Sequence, residues 1–451
     1  MKTKLALKDY LFIGSMLFGL FFGAGNLIFP VHLGQEAGAH VFIANLGFIV
    51  TGVGLPFLGI IVMGVSESDG LIELADRIHH TYALFFTFLL TLTIGPLFSI
   101  PRLATTAFEI GIAPFLSKNN QGIVLPVFSI MFFLFVWFFS KNPSRLLDYV
   151  GKFLNPLFLF FLAILLVLAF IHPLGSISSA PIGEAYRQDA FFKGFTDGYN
   201  TLDALVSFLF AVVIISTIRG MGITKPREIA KDTIKSGIIT VILMGIIYTL
   251  LACVGTMSIG RFAISSNGGI ALTQIATYYL GKGGLILLAI IVILACLKTA
   301  IGAITACSET FVQLFPQLSY KFFIIAISIF ACLFTNVGLT NIIQFSLPVL
   351  MFLYPLTITL MLLTLFSPLF KNRKEVYQMT TLFTFFAALL DMLNSSPIII
   401  KEGRLVSPLL QIAEKYLPLF SAGLGWTVPA IIGFIVGLLW IAMPKHKRFN
   451  E

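Results

Sequence analysis

The sequence predicts an all-α membrane protein of about twelve transmembrane helices, and three observations carry that prediction. Apolar residues make up 58% of the 451 and charged ones 11%, with 47 phenylalanines and a mean hydropathy of +0.98. Apolar runs of the roughly 20 residues that a bilayer-crossing helix needs recur along nearly the whole chain. Two of those runs, five spans apart, are interrupted by glycine and asparagine, which break helices.

The spans fall near 9–30, 40–65, 82–111, 122–140, 147–172, 191–216, 232–259, 284–313, 320–338, 341–367, 376–395 and 425–443. The first follows Lys2, Lys4 and Lys8 as a signal-peptide core would, but it is longer than such a core and lacks a small-x-small cleavage site, so it reads as a retained span. The net charge of +9 does not mark a nucleic-acid partner, because the basic residues sit in short loops beside apolar spans rather than on one polar face. Of the 29 Lys and Arg, eight (Lys118, Arg187, Lys193, Arg261, Lys282, Lys401, Arg404 and Lys415) fall opposite the N-terminus. Arg102 and Lys298 lie inside spans, and the other 19 fall on the N-terminal side. The positive-inside bias therefore places both termini in the cytoplasm; the acidic segment from Glu67 and Asp69 to Asp76 carries little weight in that rule. Cys253, Cys296, Cys307 and Cys332 all lie in apolar spans with no CxxC spacing, which predicts neither disulfide nor zinc. Residues 397–424, with Glu402, Pro408, Glu414 and Pro418, form the longest outer connection, a lid or a tether.

Span one contains Gly19, Gly23, Gly25, Asn26 and Pro30. Such a helix is expected to unwind in lipid, where freed backbone groups must bond to protein, water or a solute. The restarted half-helix would offer the N–H groups of Gly23-Ala24-Gly25 to a carboxylate. The carbonyls around Gly19, Phe21 and Phe22 would face a cation, with the side-chain oxygen of Asn26 beside them. The plainer reading is that the glycines only let helices approach; Asn26 and Pro30 in the same span favour a site. Span six opens with Gly194, Thr196, Asp197, Gly198, Tyr199, Asn200, Thr201 and Asp203, where Gly198 to Thr201 would supply carbonyls to an ammonium group and a hydroxyl to the solute. Asp203 is a candidate for a structural or coupling role, and Asp197 is a hydrated residue near the outer mouth.

With five spans between their starts, the two interrupted helices run in opposite directions, the pattern of an inverted-repeat transporter. Residues 1–172 and 173–367 would form the repeats, and 368–451 would add two helices and a cytoplasmic tail. Lys298 lies mid-span, where a charge needs a cavity, an acid or neutrality; it would either load and release a proton or stay bonded to carbonyls of a broken helix. Arg102, after Pro96 and Pro101, reads as a structural or gate-pairing residue with Glu109 two turns on. Phe98 and Ser99 could reach a central cavity from the kink, and Asp391 reads as hydrated or paired at a helix end. The six histidines sit at span ends or in loops and form no catalytic dyad or metal cluster. GxxxxGK[ST], HExxH and GxSxG at a strand-to-helix turn are all absent, so the chain is not read as an enzyme and would not itself hydrolyse ATP.

Several segments together resemble the branched-chain amino acid:cation symporters, the BrnQ-type carriers. These are Phe22-Gly-Ala-Gly-Asn-Leu-Ile-Phe-Pro30, Gly95-Pro-Leu-Phe98 with Pro101-Arg102, Gly194-Phe with Gly198-Tyr and Thr201-Leu-Asp203, Ala295-Cys-Leu with Thr299-Ala-Ile-Gly302, and Ala306-Cys-Ser-Glu309. The resemblance covers most of the chain and implies a LeuT-type fold of the APC superfamily, with import of leucine, isoleucine and valine coupled to Na+ or H+. It implies substrate carboxylate binding at the backbone of Ala24 and Gly25, and a Na+ site at the Phe21 carbonyl and Asn26. A second cation site would use carbonyls near Gly19 and Phe22 with Ala295, Lys298 and Thr299; there Lys298 departs from the pattern by replacing a hydroxyl. The partners so implied are the amino acid and the bilayer, with no obligate protein partner and no cofactor beyond the coupling cation. Competing readings are a LeuT-fold carrier of another neutral amino acid or a nucleobase, an intramembrane enzyme, and a channel. The last two lack convergent catalytic groups and a filter motif, respectively.

Overall fold

In the computed structural model, residues 5–66, 68, 70–141, 155–223 and 225–443 are described. Lys2, Lys4, Glu67, Asp69, His446 and the start of span five (147–154), all used above, lie outside the described residues. Among the described residues every regular element is helical.

The first span is two helices. α1 (Leu7–Phe21) stops at Phe22, whose ψ of 85° leaves the helical region, and α2 (Ala24–Ala37) restarts after an extended Gly23. A π-type turn at Val50–Gly54 joins α3 (Val41–Ile49) to α4 (Leu55–Ser66). After the short α5 (Leu71–Asp76), a second such turn carrying Gly95 and Pro96 separates α6 (His80–Leu92) from α7 (Ser99–Gly111). Pro96 lacks an N–H and crowds the preceding turn, so α7 begins in mid-span. α8 (Lys118–Ser140) and α9 (Asn155–Ile171) follow.

Span six comes in three pieces: α10 (Ala190–Asp197), a tight turn at Gly198–Thr201, and α11 (Asp203–Gly220). Leu202, between the last two, is buried with φ 65°. A branched residue in the left-handed region is unusual and is held there only by its surroundings. The chain continues through α12 (Pro226–Ser258), α13 (Gly268–Leu314), α14 (Tyr320–Thr335), α15 (Leu339–Leu365) and α16 (Lys374–Asn394). The outer connection expected at 397–424 carries α17 (Ile398–Lys401) and α18 (Val406–Tyr416), and α19 (Thr427–Ala442) ends the fold. α13 breaks at Gly281, φ 55°, so the span expected at 284–313 is preceded by a further helical piece starting at Gly268. Eight helical stretches among the described residues are long and apolar enough to cross a membrane, and three shorter apolar helices accompany them. Ile123, Val127, Ile130, Leu134 and Phe138 on α8, and Ile238, Ile242 and Ile246 on α12, are exposed at helical spacing, the face a helix turns toward lipid rather than water.

The two interrupted helices pack reciprocally. α1 and α2 both lie along α12, on either side of their break, while α10 and α11 lie along α3 and α4. Glycines bring the backbones together at both crossings. A Cβ on Gly34 would stand 2.0 Å from the Ala252 carbonyl oxygen, and one on Gly255 would stand 2.1 Å from that of Val31. At the other crossing, Gly47 would meet the Phe191 oxygen at 2.1 Å and Gly194 that of Ala44 at 1.9 Å. These are backbone atoms, which cannot swing aside. Gly34→Ala and Gly194→Ala are accordingly expected to destabilise the protein by about 1–3 kcal/mol each, whereas Gly245→Ala on α12, with nothing within 4 Å of the new methyl, should be neutral or slightly stabilising. Thermal unfolding of the purified variants in detergent checks both directions.

Candidate functional site

The two breaks meet at a buried cavity. The first contributes Leu20, Phe21, Gly23, Ala24, Gly25 and Asn26, and the second contributes Thr201 and Asp203 with Val206 and Phe210 one and two turns on. α7 adds Ser99, Arg102 and Leu103, and α13 adds Thr299 and Ala303. The kink at Gly95–Pro96 is what brings the first turn of α7, and with it Arg102, to this depth.

Asn26 ties the breaks together. Its side-chain oxygen accepts the Gly23 N–H at 2.9 Å, and its amide nitrogen donates to both Asp203 and the Tyr248 hydroxyl. The Tyr248 hydroxyl also donates to Asp203 at 3.3 Å, so α2, α11 and α12 converge on one carboxylate. Here the Asn26 oxygen caps the restarted helix, satisfying one of the N–H groups left free at the break. The Phe21 carbonyl likewise accepts the Gly23 N–H at 2.8 Å.

Arg102 is 4% exposed, and its Nη1 has no hydrogen-bond partner among the described residues. Its guanidinium lies 5.2 Å from the Phe29 ring centroid, and Nη2 is 3.6 Å from where a Gly25 Cβ would stand. The Thr299 hydroxyl is also unpartnered and would be 3.2 Å from a Cβ on Gly23. Either glycine replaced by a larger residue would fill the cavity. Its volume is about 20 Å³, room for roughly one water, so a solute the size of an amino acid enters only when the walls move apart.

Lys298 does not line this cavity. Its amino group is fully buried one helix face away, 3.1 Å from Asn155 Oδ1 and 4.1, 5.1 and 5.9 Å from the ring centroids of Phe158, Phe18 and Phe22. Asn155 is aimed by Ser15, whose carbonyl and hydroxyl oxygens both accept from its amide at 3.0 Å. Its surroundings among the described residues are thus one amide oxygen and three aromatic faces, an arrangement suited to cation–π contact.

The cavity gathers Phe21, Gly23, Ala24, Gly25, Asn26, Ser99, Arg102, Thr201, Asp203 and Thr299 from the residues singled out in the sequence. Of Phe98 and Ser99, both expected to reach it, only Ser99 lines it. Gly198 packs so closely on α3 and its π-type turn that a Cβ would meet Thr51 Oγ1 at 1.8 Å, and Tyr199 stacks on Tyr354 at 4.1 Å. Asn200, Gly19, Phe22, Ala295 and Lys298 also stand outside the lining. Tyr248 and Asn155 carried no sequence signal, since nothing local distinguishes them from other span residues. A larger cavity of about 630 Å³ lies next along α7, lined by Thr105, Glu109, Lys118, Gln121 and Gln274 among others. Thr105 is one turn from Arg102.

Interrupted helices that pack reciprocally and meet at a polar cavity define an integral membrane carrier of the broken-helix type. The fold matches a substrate-bound, outward-open Na+-coupled sialic acid symporter with a TM-score of 0.65 at 15% identity, covering 95% of this chain and 89% of that one. It also matches the nucleobase-cation-symport-1 family transporter Mhp1 in a closed conformation, with a TM-score of 0.56 at 12% identity over 96% and 92%. These likenesses establish the LeuT-type fold. The chain belongs to the branched-chain amino acid transport protein family, whose model matches residues 6–443. Branched-chain amino acid permeases BrnQ from Lactobacillus delbrueckii subsp. lactis and Bacillus subtilis are 47% and 43% identical to it, over 97% of this chain and 97% and 98% of theirs. BrnQ from Escherichia coli K12 is 35% identical over 98% and 97%.

Removing the Asn26 amide leaves Asp203 and the Gly23 N–H each short of a buried partner. Asn26→Leu is expected to lower stability by about 2–4 kcal/mol, read as an earlier thermal unfolding transition, with Ser216→Ala on the exposed end of α11 as a neutral control.

Proposed function

We propose that the protein imports leucine, isoleucine and valine across the cytoplasmic membrane by alternating access, driven by a cation gradient. The observation that carries the reading is the opening of the α2 N-terminus, at Ala24 and Gly25, into a buried cavity that also has an apolar wall of Leu20, Val206 and Phe210. N–H groups freed at a helix start suit the carboxylate of an amino acid, and the apolar wall rewards a branched aliphatic chain. Membership of a branched-chain amino acid transport family over nearly the whole chain agrees with this.

Residues 1–172 and 173–367 form the inverted repeats in this reading, which the reciprocal packing of the two interrupted helices supports. Both termini are cytoplasmic, in keeping with the 19-to-8 division of Lys and Arg. Opening separates α7 and α11 from the first break to admit the solute, and closing returns the walls to the contracted state.

Coupling centres on the space between the carboxyl end of α1 and α13. The Lys298 ammonium, held by Asn155 and the three phenyl rings, stands in for a second cation at Gly19, Phe22, Ala295 and Thr299. Transport is then either proton-driven or dependent on one Na+ at the Phe21 carbonyl and Asn26. For that one Na+, the Asn26 oxygen offers the lone pair that the Gly23 N–H does not use.

Liposomes holding the purified protein decide both points. Uptake of labelled leucine, competed by isoleucine and valine but not by adenine, is the expected result; adenine competition with no effect of valine would transfer the reading to another solute. Imposed sodium and proton gradients, applied separately, identify the ion. Lys298→Thr is expected to increase the sodium dependence of uptake, and an unchanged, fully active variant would make the lysine a purely structural cation.

A further inference from the structure

The cavity carries two opposite charges, Arg102 and Asp203, that attract each other but form no ion-pair contact among the described residues. Arg102 on α7 and Asp203 at the start of α11 both line it, each 4% exposed. No carboxylate lies within 4.0 Å of the guanidinium among the described residues. Arg102 Nη1 is without a hydrogen-bond partner, while Nη2 lies beside Gly25 in the first turn of α2. A fork of N–H donors and a helix N-terminus, both electropositive, therefore converge on one end of the cavity. The Asp203 carboxylate accepts from neutral donors such as the Asn26 amide and the Tyr248 hydroxyl, and among the described residues no Lys or Arg nitrogen lies within 4.0 Å of it.

From this geometry we propose that Arg102 and Asp203 read the two charges of a zwitterion. Arg102 Nη1, with the amides of Ala24 and Gly25, takes the α-carboxylate, and Asp203 takes the α-ammonium. The inference deepens the transport reading above and rests on it. It moves the ammonium contact from the Gly198–Thr201 backbone to a carboxylate, and it adds a side-chain charge to the anion contact.

Charge balance supplies the selectivity. The site itself holds one positive and one negative group, and a zwitterion adds one of each, so both buried charges gain a partner. A ligand with a single charge would leave the other residue buried and unpaired, which is strongly unfavourable in a low-dielectric site. Rejection of amines and of carboxylic acids is therefore built into the same pair that binds the amino acid.

The test measures ligand-induced thermal stabilisation of the full-length purified protein. The probes are leucine, its decarboxylated counterpart 3-methylbutylamine and its deaminated counterpart 4-methylpentanoate. Wild type is expected to respond to leucine alone; a response to either one-charge analogue equal to that to leucine overturns the proposal. Arg102→Gln should weaken leucine binding roughly 10- to 100-fold and make 3-methylbutylamine a ligand. Asp203→Asn should weaken leucine binding similarly and make 4-methylpentanoate a ligand. This crossed gain separates charge reading from general damage, which would lower all three responses. Unchanged leucine affinity in either folded variant, or loss without the matching gain, overturns it. Arg102→Lys, which keeps the charge and loses the fork, should bind leucine with intermediate affinity and gain no amine response. If wild type responds to another zwitterion and to none of the branched-chain amino acids, the transport reading falls. The charge reading is then decided with that zwitterion and its own decarboxylated and deaminated analogues.

Discussion

Inside a bilayer the backbone has no solvent to fall back on. Each N–H or carbonyl released from a helix must find a partner in protein or solute, at a cost of several kcal/mol if it does not. The breaks at Phe22–Gly23 and at Gly198–Leu202 are possible only because their surroundings meet that demand. Asn26 turns its oxygen back to the Gly23 N–H. Thr201 bonds the Gly198 carbonyl at 2.9 Å, and Leu202 is held in the left-handed region by complete burial. Everything else about the site follows from satisfying these two gaps, including the meeting of Asn26, Asp203 and Tyr248 where three helices would otherwise leave polar atoms unmatched.

Much of this was legible in the chain. A glycine-asparagine interruption in an apolar span is locally encoded, because only a few residue types tolerate such backbone, and the break in span one fell where Gly23 and Asn26 placed it. Lys298 announced itself by being charged at mid-span. Partners were not legible, since a partner is chosen by tertiary packing. Asn155 is an ordinary polar residue until α9 sets it against Ser15 and Lys298. Arg102 read as a gate residue because its direction depends on how far the Gly95–Pro96 kink turns α7, an angle that spacing alone does not supply. The same angle decides that of Phe98 and Ser99, which spacing placed equally near the cavity, only Ser99 reaches it.

Gly198 and Tyr199 illustrate a second kind of ambiguity. A glycine in an interrupted span marks either exposed backbone or close packing, and the two look identical in sequence. At Gly198 the packing is severe, a Cβ meeting Thr51 Oγ1 at 1.8 Å; at Gly23 and Gly25 it is milder, with Thr299 and Phe29 side-chain atoms at 3.2 Å. The difference lies in what crosses the helix at that depth.

The enclosure around Lys298 has a further consequence through mass action. A diffusible ion stabilises the state it binds in proportion to the logarithm of its concentration, and it can leave. A tethered ammonium cannot be diluted. In the proposed reading, the hold of Lys298 on Phe18 and Phe22 at the carboxyl end of α1, with Asn155 and Phe158 beside them, is therefore independent of the ionic composition on either side of the membrane, and it is released by a change in the lysine's protonation or by movement of the helices that carry it.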